Sequence, residues 1–195
     1  MSAGAIIGIV VAVLVVLVVL GMLLRPFMER RRLQQRFGPE YERTVSAADN
    51  RRDGERELAD RQRRHAELAL RPLSAASRDH YSREWLHIQE RFVDAPTEAV
   101  AAADELVTAF MAERGYPTES YDQQVVLLSV EHAGSLQHYR TGHDIAARGG
   151  ESDTSTEDLR RAMVHYRAFL DDLLNKTDSP HAKVGSAKPT QRERG

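Results

Sequence analysis

From Ala5 to Leu24 the chain reads AIIGIVVAVLVVLVVLGMLL, an apolar run without a charge or a polar face. At ~1.5 Å rise per residue its length as a helix is ~30 Å, about one hydrocarbon core. The pattern predicts a single N-terminal transmembrane helix over 5–24. A cleaved signal peptide fits less well, because such a peptide needs a basic n-region and an apolar core of roughly 7–15 residues. Residues 1–4 carry no basic side chain, and Met22 to Phe27 offer no small-x-small cleavage site.

After Arg25 the pattern changes to short amphipathic segments. Pro26 is placed to bend or restart the helix at the membrane boundary. FMERRRLQQRF (27–37) favours helix, Gly38-Pro39 interrupts it, and Tyr41, Val45 and Ala48 resume helical spacing. Residues 49–71 are dense in charge, with only Leu58, Ala59, Ala66 and Ala69 as an apolar stripe, which predicts a solvated or loosely docked helix ended by Arg71-Pro72. Tyr81, Trp85, Ile88 and Phe92 then recur at i, i+4, i+7 and i+11, with Leu86 and Val93 widening the face, and predict a core helix over 76–93. Asp94 as cap and Pro96 in the first turn open a helix to Arg114, which Gly115 closes. Ser120 to Gln123 has capping-box form and opens a helix to Ala147, with Gly134 or Gly142 as a place for a bend. Arg148 to Thr154 reads as a flexible loop. Ser155 caps the last helix, and Lys176 to Gly195 reads as a disordered basic tail.

These segments predict an all-α protein. A transmembrane helix (5–24) leads into a charged juxtamembrane helical stem (25–71), then a compact antiparallel bundle of about four helices (76–175) and a disordered tail (176–195).

Charge gives the first helix a direction. Arg25, Arg30, Arg31, Arg32 and Arg36 follow it, opposed by Glu29 alone, whereas no Lys or Arg precedes it. The positive-inside rule then places the C-terminal side in the cytoplasm. The same five arginines are candidate membrane-surface contacts for anionic headgroups. Residues 94–172 carry fifteen acidic and six basic side chains, which argues against nucleic acid as a partner. The chain has no cysteine, which excludes disulfides, thiolate metal sites and a lipidated-cysteine anchor.

Candidate chemistry is sparse. No GxxxxGK[ST], GxGxxG or HExxH pattern occurs, and a single Glu84-x-x-His87 falls short of a di-iron set. His132 and His143 lie ~16 Å apart along a straight helix, too far to share a metal ion. A metal site assembled across helices from His132, His165 and an acid stays open. The adjacent acids Asp104-Glu105, Glu157-Asp158 and Asp171-Asp172 diverge around a helix and read as caps or solvated faces. The expectation is a protein without catalytic residues, cofactor or metal.

RFGPEYERTV (36–45), LRPLS (70–74), ERFVDAP (90–96), RGYP (114–117), LSVEHAGSLQHYRTGHDI (128–145) and STEDLRRAMVHYRAFLDDLL (155–174) together resemble a group of small actinobacterial proteins. These have one N-terminal membrane segment and are labelled hypothetical, membrane or secreted proteins. The resemblance implies an anchored architecture and an actinobacterial setting, and it carries no activity, ligand or site residue. The functional expectation is therefore a non-enzymatic, membrane-tethered interaction module at the cytoplasmic face of the cell membrane, with the lipid bilayer and an unidentified protein as partners. The alternatives are a ligand-binding or sensory bundle, with Trp85, His132, Tyr139 and His143 lining a pocket, and an exported membrane-anchored domain.

Overall fold

The computed structural model describes residues 3–150 and 154–177, and the side chains of all of these except 3–13, 15, 23, 26 and 177. Among the described residues the chain is all-helical. Its elements are α1 (Ala3–Phe37), α2 (Pro39–Ala47), α3 (Arg51–Ala66), α4 (Ala75–Arg91), α5 (Pro96–Arg114), α6 (Tyr121–Glu131), α7 (Leu136–Ala147) and α8 (Thr156–Thr177). The predicted tail lies, apart from its first two residues, outside the described residues, as do positions 151–153 of the predicted flexible loop.

Local chemistry sets several of the helix ends. The Asn50 side chain accepts from the Asp53 amide at 3.1 Å and starts α3, and Ser74 accepts from the Ser77 amide at 3.0 Å and starts α4. Ser155 and Asp158 exchange side-chain and backbone bonds in a reciprocal capping box before α8. Gly115 ends α5 in the left-handed region at φ 95°, as expected for a C′ glycine. Two expected caps differ. Ala95, not Asp94, occupies the N-cap of α5, where Pro96 at the first turn already supplies the fixed φ. Ser120 holds the N-cap of α6 without a side-chain bond.

The main core joins α4, α5, α6, α7 and α8. Tyr81, Trp85 and Ile88 pack with Val100, Ala103, Val107, Phe110 and Met111 of α5, and with Leu159, Ala162, Tyr166, Phe169 and Leu170 of α8. Leu86 and Val93 do not widen this face: they are 57% and 83% exposed. The expected bundle of about four helices has five, because the segment 120–147 breaks between His132 and Ser135 into α6 and α7. The break falls at Gly134. Gly142 instead stays inside α7, where an added Cβ would sit 3.1 Å from the Tyr166 ring. It lets α8 approach α7 closely.

The stem is not loosely docked. Phe37, Tyr41 and Leu58 are 0–2% exposed and form a second core with Val130 of α6, with Leu33 and Val45 at its edge. Glu40 of α2 and Arg140 of α7 meet in a buried bidentate pair, one bond of it at 2.8 Å. α3 ends at Ala66 rather than at Arg71, and 67–74 crosses the end of α5. There the Arg71 amide donates to the Arg114 carbonyl at 2.9 Å, and Arg114 Nη1 donates back to the Arg71 carbonyl at 2.6 Å. The thin stripe was misleading because one fully buried leucine, with Gly54 against Val45, suffices when the neighbour is a short helix.

Helix α1 runs unbroken through Pro26, so the helix does not restart there. Among the described residues no helix is long and apolar enough to cross a membrane. The transmembrane assignment of 5–24 falls in large part on residues whose side chains lie outside the described set.

The Gly54 contact generates a stability prediction. A Cβ at position 54 would lie 2.8 Å from Val45 Cα, a backbone atom that cannot rotate away. Gly54→Ala should therefore destabilise the fold by about 1–3 kcal/mol. Gly134→Ala, with nothing within 4 Å of the added carbon, should change stability by less than about 1 kcal/mol. Thermal or urea melts of the two variants check the contrast.

Candidate functional site

Two aspartates in the body each gather polar groups from other parts of the chain. Asp172 of α8 accepts from His132 Nδ1 at 2.7 Å, Ser135 Oγ at 2.6 Å and Lys176 Nζ at 3.0 Å. This set spans the α6–α7 break and fixes it against α8. Burial alone would raise the Asp172 carboxyl, but the donors from His132, Ser135 and Lys176 outweigh it and hold the group well below the ordinary carboxylate range. Serine, histidine and aspartate are all present here, yet Ser135 Oγ bonds to Asp172 and to the His132 backbone carbonyl, not to the His132 ring. Nucleophilic activation needs the serine on the histidine, so this arrangement is a clamp in its chemistry.

The second centre is Asp104 of α5. Tyr166 donates to Asp104 Oδ1 at 2.6 Å, and His143 Nδ1 lies 3.0 Å from the same oxygen. Burial raises the Asp104 carboxyl, and the bonds from His143 and Tyr166 reverse that and leave it lowered. His143 is raised, first by the bond to Asp104 against the opposing effect of burial. Its ring stacks on Tyr121 at 4.1 Å between centroids. Both aspartates contradict their reading as solvated acids. Asp104 stands four residues after Val100 and three before Val107, on the buried face of α5, and that spacing was a usable signal.

A further pair joins α7 to α8. His138 and His165 share a hydrogen bond between their Nδ1 atoms at 2.8 Å, so one ring donates and the other accepts. His165 is lowered, mainly by burial and then by His138 and Arg161. His132 and His165 therefore serve different partners. Among the described residues no group of three or more His, Asp or Glu side chains could hold a metal ion.

The four residues expected to line a pocket are only partly brought together. Tyr139 stacks on Phe169 at 5.0 Å, His132 meets the edge of the same ring at 6.1 Å, and Tyr139 lies 5.9 Å from His143. Phe169 fills the space between them. Trp85 packs in the main core with its indole nitrogen buried and without a hydrogen-bond partner. None of the four lines any of the described surface cavities. Of the five arginines, Arg25, Arg31, Arg32 and Arg36 are exposed, with Arg31 over the Phe27 ring at 4.5 Å. Arg30 is half-buried and lies 4.0 Å from Glu55.

The chain matches no protein-family model, no curated protein and no solved structure.

His143 and the two aspartates make opposite pH predictions. The His143 contribution to stability is fully present below its unfolded pKa near ~6.5 and is lost as pH rises through its raised folded value. The Asp104 and Asp172 contributions are present above ~3.9 and are lost as pH falls through their lowered values. Titration of the histidine ring resonances should show His143 above and His165 below the ordinary value, and Asp104→Asn should bring His143 down. Asp172→Ala leaves the buried His132 ring without its Asp172 partner and should cost about 1–3 kcal/mol in a urea melt.

Proposed function

We propose that the protein is a membrane-tethered, non-enzymatic helical interaction module, held by α1 with its body at the cytoplasmic face of the cell membrane. The observation that carries this reading is the state of α1 before it reaches the body. Leu14, Val16, Leu17, Val18, Val19, Leu20, Met22, Leu24, Phe27 and Met28 are all 46% exposed or more, a continuous apolar surface with no protein packed over it. An apolar surface of this extent needs a cover. The uncharged sequence from Ala5 to Leu24 suits hydrocarbon, and the exposed arginines that follow suit the headgroup layer and the cytoplasmic side.

The body supports a binding role over a catalytic one. Its buried acids are occupied by fixed donors from other helices, which leaves them spent on structure. Its acidic surface suits a partner of basic or mixed charge. The resemblance to the actinobacterial single-pass group agrees with the tether.

The full chain should sediment with membranes and resist alkaline extraction, whereas a variant lacking 5–24 should stay in the supernatant. A cytoplasm-only reporter fused after Gly195 should be active. Recovery of the full chain in the alkaline supernatant would refute the tether, and activity of an export-only reporter in the same position would refute the orientation.

A further inference from the structure

Between α1 and α3, where the helix leaves the apolar run, lies a groove of ≈ 410 Å³. Leu33 and Ala59 line it, and Ala59 leaves the space open because it has no side chain beyond Cβ. Three guanidinium-bearing residues, Arg30, Arg32 and Arg56, face it from the two helices, together with Gln62. Two donors here are buried and without a hydrogen-bond partner, Arg30 Nε and Gln62 Nε2. Glu55 is the nearest acid to the first, but at 4.0 Å the contact is an ion pair and not a hydrogen bond, and Glu55 Oε1 already accepts from Tyr41 at 2.7 Å. Buried N–H groups in folded proteins almost always have an acceptor. Glu29 and Glu55 also line the groove, but neither hydrogen-bonds Arg30 Nε or Gln62 Nε2, which leaves both donors open to an oxyanion.

We propose that this groove seats the phosphodiester of a membrane lipid headgroup. The inference rests on the tether reading, because position selects the source. Glu29 to Leu33 lie ~8–14 Å beyond Leu24 along a straight helix, and the headgroup region adds roughly 5–8 Å to each side of the hydrocarbon core. The groove therefore begins at the outer edge of the headgroup layer, and its membrane-side end at Glu29 and Arg30 is the part within reach of a headgroup phosphate. A phosphodiester supplies only acceptors, and the guanidinium of Arg30 presents donors in a planar fork matched to it. Glu55, which also lines the groove, pairs with Arg30 at 4.0 Å. Glu29 stands at the rim as an exposed acid and opposes an anionic ligand, so its removal strengthens the site.

The test uses the full chain in a neutral detergent, titrated with short-chain phosphatidylglycerol, with a short-chain galactolipid that has no phosphate, and with inorganic phosphate. The expected result is saturable binding of phosphatidylglycerol alone at low concentration. Arg30→Gln and Gln62→Leu should each weaken it tenfold or more. Ala59→Met, which fills the groove and keeps every charge, should do the same, and Glu29→Gln should tighten it. Arg36→Gln, which removes an exposed arginine outside the groove, should leave it within twofold. Circular dichroism confirms that each variant is folded. Equal loss from Arg30→Gln and Arg36→Gln, or no loss from Ala59→Met, would overturn the site in favour of diffuse charge attraction. Inorganic phosphate binding as tightly as the lipid would overturn the lipid assignment. Flotation with galactolipid vesicles reads the tether separately: a chain that floats but shows no headgroup preference sinks the groove and spares the anchor.

Discussion

The buried pair between Glu40 and Arg140 is the contact on which the rest of the arrangement depends. It joins α2 to α7 across a hundred residues, with both side chains nearly out of solvent. A charge pair in that position is held by geometry, and loss of either partner would strand the other at a cost of about 3–5 kcal/mol. Beside it Phe37, Tyr41 and Leu58 close over Val130. Together they turn the end of α1 from a free stalk into a fixed part of the body. The direction of the apolar helix is thereby set relative to the bundle, and so is the height of the groove between α1 and α3.

Helix α6 makes this possible because it serves two cores. Leu127 and Leu128 belong to the main one, and Val130 belongs to the second. Its sequence, YDQQVVLLSVE, is apolar around much of its circumference, which is the signature of a helix covered on more than one side. The sequence carried that signal. It did not say what covered the second side, because the covering residues are sparse: Phe37, Tyr41 and Leu58 are spread over three helices and none forms a stripe by itself. By contrast the faces of α4, α5 and α8 were legible because periodic apolar residues in long helices allow few other arrangements.

The polar interior follows the same division. Asp104 and Asp172 each gather donors from two other elements, and these contacts fix the α6–α7 break and the approach of α8 to α7. Reading adjacent acids as solvated failed because a helix sends neighbours to different faces: Asp104 and Asp172 turn inward while Glu105 and Asp171 stay exposed. Their histidine, serine and tyrosine partners lie 37 to 62 residues away for all but Lys176, so only the fold reveals them. Gly142 belongs to this set, since the space it leaves is what Tyr166 occupies on its way to Asp104.

The proposed tether requires α1 to lie in lipid while the segment just after it lies at the surface. The chain has no cysteine, so a single introduced one can be spin-labelled without background. Labels at Leu17→Cys and Arg32→Cys, in full-length protein reconstituted into vesicles, should differ sharply. The first should collide with oxygen and be shielded from a water-soluble nickel chelate, and the second should show the reverse. Equal access of the nickel chelate to both positions would contradict the account.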